Sequence, residues 1–167
     1  ILTDENFEEI DNVNIRCRLA PHILPAPWAM YVTGIRPKTL TSSDLYSPFE
    51  FGSEIQQLVR RWSPAVWTGY NNIRFDELVM RQLFYQNLQP DIYATQIQGN
   101  TRLDILTAAY AAFALEPKAL NWPQKENGGI TFKLDKLAPE NGFNDHDAHD
   151  ALGDVRATIF LARKIRE

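Results

Sequence analysis

The chain of 167 residues has one cysteine, Cys17, so no disulfide can form within it and a reducing compartment, the cytoplasm, is expected. Cys17 stands in the alternating run Val13-Asn14-Ile15-Arg16-Cys17-Arg18-Leu19, where a half-buried structural thiol is expected rather than a reactive one. No apolar run is long enough to span a membrane, and no signal-peptide pattern opens the chain. A basic excess is missing too. The formal charge of −4 argues against a tight, sequence-independent nucleic-acid coat protein, but not against a nuclease, whose cation-binding carboxylates lower net charge themselves. Internal repeats, low-complexity segments and an obvious second domain are also lacking. There is no initiator methionine, and Ile1-Leu2-Thr3-Asp4 reads as the end of a strand followed by a polar turn.

What is present is an ordinary globular composition, 44% hydrophobic, at a length that makes about one domain. Residues 12–19 read as a strand, paired with whatever precedes Thr3. Trp28–Val32 reads as a short helix stopped at Gly34, and residues 38–47 as polar turns. Phe51, Ile55, Leu58, Val59 and Trp62 recur at helical spacing and predict a helix over 48–62, ended by Ser63-Pro64. Residues 65–70 read as a buried strand, and Asp76 opens a helix through Leu78, Val79, Leu83 and Phe84. Residues 88–102 look irregular, 103–115 helical, 121–129 a polar loop and 133–138 a short helix. A final amphipathic helix is expected from about Asp147 to Ile165. Strands first and helices alternating later predict an α/β chain with a mixed sheet flanked by helices.

The chemistry-bearing residues lie in two stretches. One is Gly69-Tyr70-Asn71-Asn72-Ile73-Arg74-Phe75-Asp76; the other is Ala148-His149-Asp150-Ala151-Leu152-Gly153-Asp154. Separated carboxylates hold hard divalent cations through oxygen, and an imidazole can take a proton from an attacking water, which together serve metal-assisted phosphodiester hydrolysis. Each residue has a structural reading as well. Asp76 competes between an N-cap role and a ligand role. Asp154 competes between helix-dipole compensation and a ligand role. His149 and Asp154 converge only if the histidine lies before the regular helix, since five residues do not share a face. His146 and His149 with Asp145, Asp147 and Asp150 do not match a recognised zinc spacing. Most aromatic rings are expected in the core; Tyr70, Phe75 and Trp122 stand near polar loop residues, where bases could stack.

Taken in order, several stretches resemble the exonuclease domain of the bacterial exodeoxyribonuclease I family, single-strand-specific 3′→5′ DNA exonucleases of the DEDDh superfamily. They are Val32–Pro37, Gly69–Asp76, Asn100–Leu106, Tyr110–Pro117, Asn121-Trp122-Pro123, Phe132–Leu137, Asn141–Phe143 and Ala148–Val155. The ordered set with Asn-Trp-Pro inside it is specific to that family. The resemblance implies an RNase H-like fold and two divalent cations, Mg²⁺ or Mn²⁺. It implies metal ligation by Asp76 and Asp154, and a general base at His149. Asn72, Arg74, Phe75 and Trp122 are the residues expected to contact nucleic acid. It also implies single-stranded DNA as substrate, a single-strand-binding protein as partner, and a monomer.

The superfamily's first motif, Asp-x-Glu, occurs nowhere in the chain. The expectation is that it belongs upstream of Ile1, with a homologue that lost the motif as the alternative. The family's SH3-like region and helical extension are also not found. The rival functions are an exonuclease acting on short RNA or primer ends, and a non-catalytic nucleic-acid-binding homologue.

Overall fold

A computed structural model describes residues 1–144 and 151–167. In chain order the elements are β1 (Leu2–Thr3), β2 (Glu9–Asp11), α1 (Pro27–Thr33), α2 (Pro37–Leu40), α3 (Pro48–Trp62), β3 (Val66–Gly69), α4 (Asp76–Gln86), a 3-10 turn at Ala94–Gln96, β4 (Thr101–Asp104), α5 (Ile105–Leu115), α6 (Leu134–Glu140) and α7 (Ala151–Arg166). The α/β class expected from the sequence holds. Among the described residues the strands form two pairs, β1 with β2 and β3 with β4.

The helices start and stop where the local chemistry directs. At α3, the Ser47 side chain accepts from the Glu50 N–H and the Glu50 carboxylate accepts from the Ser47 N–H. Pro48 fills the first helical position, where a missing N–H costs nothing. The helix ends before Ser63-Pro64 because a residue preceding proline is pushed out of the helical region. At α1 the stop is Gly34, left-handed at φ 67°, a conformation that glycine adopts without steric cost.

Three strand and helix expectations need correction. Residues 12–19 are not a ladder strand. Burial does alternate over 11–17, but the backbone there makes an isolated bridge from Cys17 to Tyr46 and a bond from the Leu19 N–H to the Leu40 carbonyl, and no ladder. The hairpin instead joins β1 to β2, within the first 11 residues, with Leu2 opposite Asp11. The alternating pattern reported which side chains face inward, not which backbone they pair with. Thr101–Asp104 is strand β4, although the apolar pattern predicts 103 and 104 as the start of the following helix; pairing with β3 holds Asp104 extended at φ −113°, ψ 115°. Finally, Pro37–Leu40 forms α2 inside a stretch read as turns.

The described residues divide into two compact units. The first comprises residues 1–12, 68–74 and 103–167. Its core is Ile105, Ala109, Leu120, Leu137, Ala138, Ala157, Leu161 and Ala162, where α7 packs on α5 and α6. Phe113, Trp122, Phe132 and Tyr110 extend that core as an aromatic cluster with edge-on contacts. The second unit comprises residues 13–67 and 75–102, around Val59, Phe84 and Ala94, with α3 against α4. Cys17 is half-buried there, as expected, and burial raises its thiol pKa, which disfavours the reactive thiolate.

Candidate active site

The first unit holds a loop built with unusual care. Gly69 ends β3 at a place where a Cβ would lie 2.8 Å from the Asn72 Cβ, so only glycine fits without displacing Asn72. Tyr70 is half-buried, and its hydroxyl donates to the Phe132 carbonyl. Burial, and secondarily the neighbouring Tyr110 and Asp104, push its phenol pKa far above the ordinary range. Asn71 is left-handed at φ 62°. Asn72 is 7% exposed, and its Oδ1 has no hydrogen-bond partner among the described residues. Arg74 is exposed.

Asp104 organises this loop. It is 5% exposed and caps α5 through the Leu106 N–H at 3.0 Å. The same carboxylate accepts from the Asn71 N–H at 2.9 Å and the Ile73 N–H at 3.4 Å. The sequence signal for the cap was there, an aspartate directly before an alanine-rich apolar run. The loop contacts had no local signal, because they close over more than 30 residues.

In the second unit, Asp76 is exposed at the first position of α4. The N-cap is Phe75, which supplies no side-chain cap bond. Asp76 is thus the first helical residue of α4 and not its N-cap. Phe75 itself is 65% exposed, an apolar ring presented to solvent. Glu77, next in the helix, is its opposite: 3% exposed, accepting from Thr95 Oγ1 at 3.0 Å and paired with Arg81 at 3.4 Å and Arg102 at 3.5 Å. The Arg81 guanidinium also lies 5.0 Å over the Tyr93 ring. This network fastens the first turn of α4 to the 3-10 turn and to β4. Its sequence signal was the Glu77–Arg81 spacing of four, which places both on one helix face.

Asp154 lies half-buried in the first turn of α7, and its backbone carbonyl accepts from Thr158 Oγ1 at 2.8 Å. Asp154 belongs to the first unit and Asp76 to the second. His149 lies outside the described residues, as do the other members of the histidine and aspartate run, residues 145–148 and 150. Among the described residues no group of three His, Cys, Asp or Glu side chains gathers as a metal site. Trp122 is half-buried in the aromatic cluster, its Nε1 donating to the Pro117 carbonyl at 2.6 Å. It also borders an open groove of about 730 Å³, together with Pro123, Gln124, Asp135, Lys136, Pro139 and Glu140. No helix among the described residues is long and apolar enough to cross a membrane.

An α/β chain with a pinned Asn-Asn-x-Arg-Phe-Asp loop and a second aspartate opening its last helix fits one class. The family model for Exonuclease (RNase_T) matches residues 1–162, and the chain belongs to that family. Within it, the chain is similar to exodeoxyribonuclease I. It is 38% identical to that protein from Haemophilus influenzae over its whole length, which is 35% of the relative. The solved structure of Escherichia coli exonuclease I with a dT13 oligonucleotide superposes with a TM-score of 0.88 at 35% identity, covering 96% of this chain and 34% of that one. The complex of exonuclease I with SSB-Ct superposes with a TM-score of 0.88 at 35% identity, covering 98% and 35%. The chain thus spans about a third of the length of the relatives it matches.

Proposed function

We propose that the protein is a 3′→5′ exodeoxyribonuclease that removes nucleoside 5′-monophosphates from single-stranded DNA. The observation that carries this reading is the match to the exonuclease family over residues 1–162, with relatives named exodeoxyribonuclease I. The exposed Asp76 carboxylate, left at the head of α4 while Phe75 takes the cap position, supports it.

Asp76 and Asp154 would hold divalent cations, Mg²⁺ or Mn²⁺. Their oxygen donors suit hard cations, and no thiol pair competes. Such cations, when bound, polarise the scissile phosphate and stabilise the leaving oxygen. Two carboxylates offset two of the four charges a pair of ions brings, so further acidic ligands are required. His149 takes the proton of the attacking water. Arg74 meets backbone phosphate, the Phe75 ring stacks on a base, and Asn72 and Trp122 complete the strand-binding surface. By likeness to the DNA-bound and SSB-Ct-bound relatives, the partners are single-stranded DNA and a single-strand-binding protein. The protein acts as a monomer in the cytoplasm.

One observation favours a second reading, a nucleic-acid-binding homologue without turnover: the chain contains no Asp-x-Glu. A digestion series decides between them. With the full-length protein and Mg²⁺ present, single-stranded DNA labelled at the 5′ end, duplex DNA and RNA are compared. Stepwise shortening of the single-stranded DNA is expected, and binding without shortening would select the second reading. Digestion confined to the RNA would move the substrate instead. His149→Ala in the full-length protein is expected to lower the rate by roughly 10²–10⁴-fold, and unchanged turnover removes His149 from the proton-transfer role.

A further inference from the structure

Resting on the reading of residues 71–74 as part of the strand-binding loop, we propose that Asp104 is a positioning residue for that loop. Capping α5 requires only one acceptor, and Asp104 Oδ1 supplies it, accepting from the Leu106 N–H at 3.0 Å. Asp104 does more. Its Oδ1 also accepts from the Asn71 N–H at 2.9 Å, and its Oδ2 takes the Ile73 N–H at 3.4 Å. The two contacts bracket Asn72 on both sides. Asn71 sits at φ 62°, a left-handed conformation that asparagine tolerates better than most residues but that still competes with the right-handed and extended regions unless it is held. The clamp supplies that hold.

Asn72 has no hydrogen bond of its own at Oδ1 among the described residues. Its place is set by packing against Gly69 and by the clamped amides at 71 and 73. A carboxylate has two faces of acceptor lone pairs, so one side chain can serve a helix and a loop together. The consequence is that the start of α5 and the loop before Arg74 are set by a single group.

The two duties separate by substitution in the full-length protein. Asp104→Ser keeps a good N-cap and drops the loop contacts. Asp104→Asn keeps the cap and the Asn71 contact but turns an amide donor toward the Ile73 N–H. Amide hydrogen exchange at Asn71, Ile73 and Leu106 reports the clamp directly. Affinity for oligo-dT in EDTA and kcat/KM on single-stranded DNA report its consequence. Asp104→Ser is expected to lose protection at Asn71 and Ile73, to keep it at Leu106, and to lose roughly 10²-fold in kcat/KM, the scale of an ångström of misplacement. Asp104→Asn is expected to recover part of both. Unchanged exchange at Asn71 and Ile73, or lost protection with unchanged affinity and kcat/KM, overturns the proposal. If the unsubstituted protein does not shorten single-stranded DNA, the functional reading fails by itself, and exchange and oligo-dT affinity still decide the clamp.

Discussion

Glu77 offers the sharpest perturbation of the fold. Its carboxylate is 3% exposed and faces two guanidinium groups at 3.4 and 3.5 Å, plus the Thr95 hydroxyl at 3.0 Å. At such distances, with an effective dielectric of about 20, each pair is worth roughly 5 kcal/mol of Coulomb energy before desolvation. Burying the carboxylate costs several kcal/mol, which offsets most of that gain. Truncating Glu77 to alanine removes the shared partner of both arginines. Breaking a buried pair usually costs about 3–5 kcal/mol, because a charge is stranded. Here the stranded charges are Arg81 and Arg102, whose side chains stay about a quarter exposed and regain water. The expected cost is therefore at the low end, about 3 kcal/mol. Equilibrium urea unfolding measures it. With a slope of about 2 kcal/mol/M, the midpoint falls by roughly 1.5 M. Glu77→Gln keeps the Thr95 bond and the side-chain shape and is expected to fall between the two. An alanine variant whose midpoint stays within about 0.25 M of the parent refutes the reasoning, since the network would then carry no stability.

Gly69→Ala drives a Cβ to 2.8 Å from the Asn72 Cβ, and overpacking of that kind costs about 1–3 kcal/mol. A fall in Tm of roughly 3–10 °C is expected, and an unchanged Tm would show that Asn72 yields freely. Tyr70→Phe removes a hydrogen bond to Phe132 and is expected to cost about 1 kcal/mol near neutral pH. The folded phenol holds its proton more tightly than the unfolded one, so the parent's contribution is complete below the ordinary value of 10.0 and is lost as pH rises beyond it. Urea midpoints of the two proteins should converge above pH 10, and a constant gap would contradict the raised pKa. The 167-residue polypeptide, offering Asp76 and Asp154 against two divalent cations, is expected to bind Mn²⁺ weakly by calorimetry and to show little Mg²⁺-dependent digestion. Vigorous digestion would overturn the charge count.

The helices were legible because their signals are local. Ser47-Pro48-Phe49-Glu50 is a complete start signal for α3, and Glu116-Pro117 a complete stop for α5. What escaped the sequence depends on distant partners. β4 is a strand through its pairing with β3, and without that partner Leu103 and Asp104 extend the helical pattern of α5 equally well. The burial of Glu77 depends on Arg102, which lies 25 residues further on. The ring contacts of Trp122 had no local signal either: Phe113 from α5 and Phe132 ahead of α6 hold it half-buried beside the groove.

The same contrast bears on the site itself. Aspartate before a helix is ambiguous in sequence, since capping and ligation ask for the same side chain in the same place. Burial separates the cases. Asp104 is buried, caps α5 and holds a loop, so its oxygens are occupied by backbone N–H groups. Glu77 is buried, and its Oε2 is engaged by two arginines and a threonine. In chain order, Asp76 follows the loop held by Asp104 and precedes the buried Glu77. Its own side chain is exposed, at a helix terminus whose dipole lowers the cost of a negative charge. An exposed carboxylate at such a terminus is compatible with the cation-ligand role proposed for Asp76. The three acids therefore differ in what their substitution should cost. Asp76→Asn should abolish metal-dependent turnover with little change in Tm, whereas Glu77→Ala and Asp104→Ala should lower Tm first. A large Tm loss in Asp76→Asn would mean that the fold, and not an ion, is what this carboxylate serves.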